Sequence, residues 1–132
     1  ILAISVDSPF SHLHYVLSKP SQGGLGQLNY PLISDLSQKI TSKYKLLTQD
    51  GFAFPGVFII DKEGIIQYYT VNNLLCGRSV TELLRILKAI QYIKENPGQA
   101  CPVDWKYGDK VLNSHPLKSK TYFKTLYSHK KK

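Results

Sequence analysis

Ser79 to Asn96, SVTELLRILKAIQYIKEN, constrains this chain more than any other stretch, because it reads as one long amphipathic helix with a marked beginning and end. Ser79-Val-Thr-Glu82 is a capping box, in which the Ser79 hydroxyl accepts from the amide three residues on and Glu82 reaches back to the Ser79 amide. Val80, Leu83, Leu84, Leu87, Ile90 and Ile93 recur at three- and four-residue steps, and Ile86 widens the stripe, so one face is expected to be buried. Asn96-Pro97-Gly98 ends the helix, since proline cannot continue it and glycine accepts a left-handed turn. A helix of this kind needs an apolar surface to press on.

Two β-α steps come first. Residues 2–6 (LAISV) read as a buried strand, and Ser8 followed by Pro9 opens a helix running to about Leu17. Lys19 to Gly26 is a glycine-rich loop with no Lys-Ser/Thr to make it a phosphate loop. Residues 29–33 form a second strand, and a helix is expected from about Leu36 to Tyr44. Residues 56–61 and 65–71 make a hairpin around Lys62-Glu63-Gly64. The first arm is apolar throughout, which suits a central strand. The second carries large groups on both faces, which suits an edge. A weak helix near Lys118 to Tyr127 closes the pattern. The order is α/β: a mixed central sheet of four strands, flanking helices and a C-terminal arm.

Charge narrows the partners. The 132 residues carry a formal +8, but from Lys110 on there are seven lysines and no acid, which leaves ten basic against nine acidic residues before it. A nearly neutral domain with a basic tail lacks the basic face of a nucleic-acid binder, so no nucleic acid is expected. No apolar run approaches the roughly 18 residues of a membrane span, so no membrane partner is expected either. There is no Met, and Ile1 starts inside a strand. The expectation is a sequence that begins downstream of its natural start, with any targeting segment out of view.

Two residues stand out as chemical. Cys101 follows the helix stop on a segment expected to be among the less firmly held, and thiol–disulfide exchange needs an accessible, movable sulfur. Arg78 lies at the start of the helix, where a cation opposes the positive end of the macrodipole, and a planar guanidinium suits a thiolate or peroxide oxygen. Cys76, between Leu75 and Gly77, reads as a packing position. His12 and His14 have no third ligand at metal spacing, so no metal is expected. Trp105 is expected to pack the arm down.

At this point the residues are recognisable. GQACPVDW (98–105) resembles the resolving-cysteine segment of the typical two-cysteine peroxiredoxins. FIIDKEGIIQ, VNNLLCGRSVTE and AIQYIKENPG resemble the segments leading into it, and SVDSPFSHL, GGLGQLNYPLISD and Tyr122-Phe123 fit as well. The similarity is greatest to the plastid and cyanobacterial branch. It implies a thioredoxin-like fold, incomplete at its N-terminus. Residues 1–96 would be the C-terminal part of that domain and 97–132 an arm with the resolving cysteine and a basic tail.

The resemblance also implies a function: reduction of hydrogen peroxide and organic hydroperoxides by thiols. A peroxidatic cysteine becomes a sulfenic acid, the resolving cysteine of a partner subunit condenses with it, and thioredoxin reduces the disulfide. Cys101 takes the resolving role. The peroxidatic cysteine would lie upstream of Ile1, so the chain as given should not turn over alone. Of the family's two active-site arginines, one matches Arg78 and the other is replaced by Pro55. Pro55 keeps an alternative open, a non-catalytic chaperone-like or regulatory paralogue. No cofactor is implied. The partners implied are a second copy, paired through strand 65–71 and built into a ring of dimers, with thioredoxin or a related reductant and a peroxide. An intracellular setting is expected, with cytoplasm, plastid and mitochondrial matrix fitting equally.

Overall fold

The computed structural model describes residues 1–128, so Lys130 to Lys132 of the basic tail lie outside the described residues. The chain divides into two compact units: Ile1–Val57 with Thr70–Gly77, and Phe58–Tyr69 with the chain from Arg78 on. Four α-helices, a short 3-10 helix (Pro20–Gln22) and three two-stranded sheets make up the regular structure among the described residues.

The first unit is a βαβ step. Strand β1 (Ala3–Ser5) pairs in parallel with β2 (Leu32–Ser34), placing Ala3 against Leu32 and Ser5 against Ser34. Helix α1 (Pro9–Leu17) crosses between them; Ser8 caps it by accepting from the Ser11 amide at 3.1 Å, and Pro9 fills the first turn, where a missing N–H is harmless. Strand β2 runs later than residues 29–33. Ser34 stays in the ladder opposite Ser5, and its hydroxyl donates to the Asp7 carbonyl at 2.5 Å. The glycine-rich loop returns to α1 through Leu25 N to Tyr15 O and Gly26 N to Ser18 O. Gly24 is obligatory there, since a Cβ would collide with the Ser18 backbone.

Helix α2 (Lys39–Lys43) is shorter than the stretch from Leu36 to Tyr44. Gln38 adopts the left-handed conformation, φ 59°, so the helix cannot start before it. The buried Asp35 carboxylate fixes the start by accepting from the amides of Ile40 and Thr41 and from the Thr41 hydroxyl.

The hairpin has β3 (Gly56–Ile60) and β4 (Ile66–Val71) as its arms. Asp61 builds the turn: Oδ1 accepts from the amides of Glu63 and Ile65, and Oδ2 from Gln67. The four strands do not join into one sheet. Hydrogen bonds pair β1 with β2 and β3 with β4, and no described strand pairs with the other side of β3. Among the described residues the apolar β3 has one hydrogen-bonded neighbour, β4.

In the second unit α3 (Val80–Glu95) begins and ends as its caps dictate. Ser79 accepts from the Glu82 amide at 3.2 Å, and Asn96 donates its side-chain amide to the Tyr92 carbonyl. Only half of the capping box forms. Both Glu82 oxygens go to Arg85 instead, because a bidentate charge-assisted pair is stronger than one bond to a neutral amide. The buried face is also rotated from the expected one. Leu83 and Ile90 are half-buried, but Val80, Leu84, Leu87 and Ile93 are exposed. The half-buried side runs instead through Arg85, Ile86, Ala89 and Tyr92, drawn round by Trp105. After the Gly98 turn, β5 (Gln99–Ala100) pairs antiparallel with β6 (Leu112–Asn113), and α4 (Pro116–Ser128) follows.

Candidate functional site

The site is assembled from the end of β5 and one face of α3, both in the second unit. Cys101 is the next residue after β5, so the two-stranded ladder fixes where it leaves the sheet. Its thiol is half-buried and unbridged. From Cys101 the chain makes a tight turn closed by Trp105 N to Pro102 O at 3.2 Å, with Asp104 in the left-handed conformation at φ 59°.

Trp105 ends that turn and is the one fully buried hydrophobic side chain among the described residues, 1% exposed. Its ring stands 5.1 Å from that of Tyr92 and meets Tyr107 edge-on at 6.3 Å. Its indole N–H donates to the Asp109 carbonyl, satisfying the polar end of a buried ring. Tyr92 in turn donates to Gln99 of β5 at 2.7 Å. The expectation of a loosely held segment is therefore corrected. The Cys101 turn is pinned at both ends, because Trp105 supplies apolar contact that Gly98 and Pro102 do not reveal. Beyond it lies a cleft of about 330 Å³ between the turn and α4, lined in part by Pro102, Val103, Trp105 and Tyr122.

Arg85 reaches this turn from α3. Its Nε and Nη2 donate to the two oxygens of Glu82 at 2.6 and 2.7 Å, and Nη1 donates to the Trp105 carbonyl at 3.0 Å. The hydrogen bonds that Arg85 donates to Glu82 raise the guanidinium pKa further, and the same bonds hold the Glu82 carboxyl below its usual range. Burial pushes the Cys101 thiol up, and the Arg85 charge pulls it part of the way back. Sequence reasoning missed Arg85. The pairing with Glu82 at three-residue spacing was visible in the sequence, but the bond that brings Arg85 to the Cys101 turn goes to a backbone carbonyl and was not.

Arg78 is exposed beside the Ser79 cap and makes no hydrogen bond among the described residues. The structure does not bring it to Cys101 through any bond. Cys76 is exposed in the turn after β4, near the Asn72 amide at 3.9 Å, so it is not a packing position. Its neighbour Leu75 is exposed too. The Pro55 carbonyl accepts from Asn72 N at the base of the hairpin. No cluster of three or more His, Cys, Asp or Glu able to hold a metal occurs among the described residues.

Comparison with known proteins gives a consistent result. Residues 1–69 match the AhpC/TSA family, and residues 89–125 match the C-terminal domain of 1-Cys peroxiredoxin. The chain is 72% identical to the peroxiredoxin ycf42 of Trieres chinensis over 131 residues, covering 99% of this chain and 64% of that protein. It is 55% identical to a chloroplastic 2-cysteine peroxiredoxin of Chattonella marina var. antiqua, covering 96% of this chain and 65% of that one. Among solved structures, the reduced 2-Cys peroxiredoxin of Plasmodium vivax matches with a TM-score of 0.88 at 35% identity, covering 92% of this chain and 63% of that one. The chain thus spans just under two thirds of the length of these relatives.

Proposed function

The chain belongs to the AhpC/TSA family of peroxiredoxins, and from that premise we propose that it carries out the thiol half of a peroxide reduction, with Cys101 as the resolving cysteine. Its mixed α/β fold is thioredoxin-like, as in that family. The observation that carries the proposal is the setting of Cys101: an unbridged, half-buried thiol at the mouth of a β-ladder, on a turn anchored by Trp105. A peroxidatic cysteine, which is neither Cys76 nor Cys101, attacks hydrogen peroxide or an organic hydroperoxide and becomes a sulfenic acid. Cys101 of a second chain condenses with it, and thioredoxin or a related dithiol reduces the disulfide. Residues 97–132 act as the arm that delivers the resolving thiol. Arg78, exposed and without a hydrogen bond among the described residues, serves as the cation beside the peroxidatic thiolate.

The second chain is a copy of this one. Strand β4 offers an edge for it, with Ile66, Tyr69 and Val71 exposed. Dimers formed through residues 65–71 then assemble into a ring. The chloroplastic names of relatives such as the Chattonella protein support a setting inside a plastid. No observation favours a non-catalytic paralogue.

The test is thioredoxin-coupled turnover of peroxide by the protein at its natural length. Cys101→Ser should abolish it, while Cys76→Ser should leave it intact. Undiminished turnover in Cys101→Ser would show that another thiol resolves the sulfenic acid.

A further inference from the structure

The guanidinium of Arg85 links α3 to the turn that carries Cys101. A guanidinium has five N–H donors in a rigid fork. Three are engaged, two on Glu82 and one on the Trp105 carbonyl twenty residues along the chain. The bidentate pair with Glu82 fixes the plane of the group, so its position over the turn does not depend on a single rotamer. Cys101 and Trp105 are the two ends of the same turn, so the bond to the Trp105 carbonyl ties the segment that carries the sulfur to α3. The electrostatic coupling runs both ways, since Arg85 draws the thiol toward ionisation and Cys101 and Asp104 strengthen the guanidinium's hold on its proton.

We propose that Arg85 is the positioning residue for Cys101: it pins the turn that carries the thiol to helix α3 and keeps a fixed positive charge beside the sulfur. The inference rests on Cys101 as the resolving cysteine and adds the group that prepares it. In the step it serves, the Cys101 thiolate attacks the sulfur of a cysteine sulfenic acid. An S–S bond forms and the S–O bond breaks. Hydroxide departs and takes a proton from solvent to give water. The oxidising equivalents are those the peroxide has already delivered to the sulfenic sulfur. The attacking species is the thiolate, so a cation beside it raises the fraction ready to react. Burial alone would suppress that fraction, which is why a half-buried thiol needs a charge of this kind.

The test follows alkylation of each cysteine by iodoacetamide, using mass spectrometry on the protein at its natural length across a pH series. Arg85→Gln should lower the Cys101 rate near neutrality, relative to its own alkaline plateau, by roughly three- to tenfold. The plateau itself should rise as the turn loosens. Cys76, exposed and outside this network, should keep its ratio in the same samples. Arg85→Lys keeps the charge and loses the fork, so it should restore the ratio near neutrality while the plateau stays high. An unchanged Cys101 ratio in Arg85→Gln overturns the proposal. So does a parallel change at Cys76, or an Arg85→Lys variant that fails to restore the ratio. Turnover in Cys101→Ser tests the functional reading separately, because the alkylation ratio is measured without peroxide or reductant.

Discussion

Asp35 ties the stability of the first unit to pH. Its carboxylate is buried, which by itself raises its pKa, but hydrogen bonds from the Thr41 and Ile40 amides and the Thr41 hydroxyl outweigh burial and hold it below the usual range. A carboxylate whose pKa is lower folded than unfolded stabilises the fold above the ordinary carboxylate range. That contribution is lost as pH falls through the lowered value. Asp35→Asn should therefore lower the urea midpoint near neutrality, and the gap from the unmodified chain should close in strong acid. A gap of constant size across that range would mean that the charge of Asp35 is irrelevant. At the same scale, the sequence singles out Cys101 because a cysteine just after a helix stop, close to Pro and Trp, is a chemical pattern, and its resolving role is what we propose. Arg85 was not legible, because its decisive bond goes to a backbone carbonyl, and no side-chain pattern encodes that. Cys76 was misjudged for the opposite reason: apolar neighbours in sequence do not bury a residue in a turn.

Helix α3 shows which properties of an element are local. Its start at Ser79, its stop at Asn96 and its length were all legible, since caps and breakers act within a turn of their own position. Its buried side was not, because periodicity finds an apolar stripe and tertiary contact decides which part of it is used. Trp105 turned the helix toward Ile86, Ala89 and Tyr92. Two neighbouring substitutions separate these readings. Ile86→Ala should destabilise the chain clearly, whereas Leu87→Ala, at a position 36% exposed, should cost only about 1 kcal/mol or less. Urea unfolding of both variants measures the order, and a larger loss at Leu87 would restore the stripe as first read. Strands β5 and β6 lay beyond sequence reading, since two residues each are too short to show alternation.

For the whole molecule, the βαβ step, the hairpin and the long helix were legible, and the joining of four strands into one sheet was not. Local patterns say that a segment is extended; they do not say which edge it pairs with. The exposed side chains along β4 carry the expectation of assembly. Sedimentation of the protein at its natural length should give at least a dimer at micromolar concentration, and mutating Tyr69 to a charged residue should weaken it. A strict monomer at that concentration would contradict pairing through residues 65–71. The central claim is that Cys101 is the thiol that closes the disulfide. Peptide mapping of the peroxide-treated protein by mass spectrometry tests it most directly. The account predicts Cys101 linked to a cysteine of a second chain, with Cys76 still reduced; Cys76 in the bond, or Cys101 left as a free thiol, would contradict it.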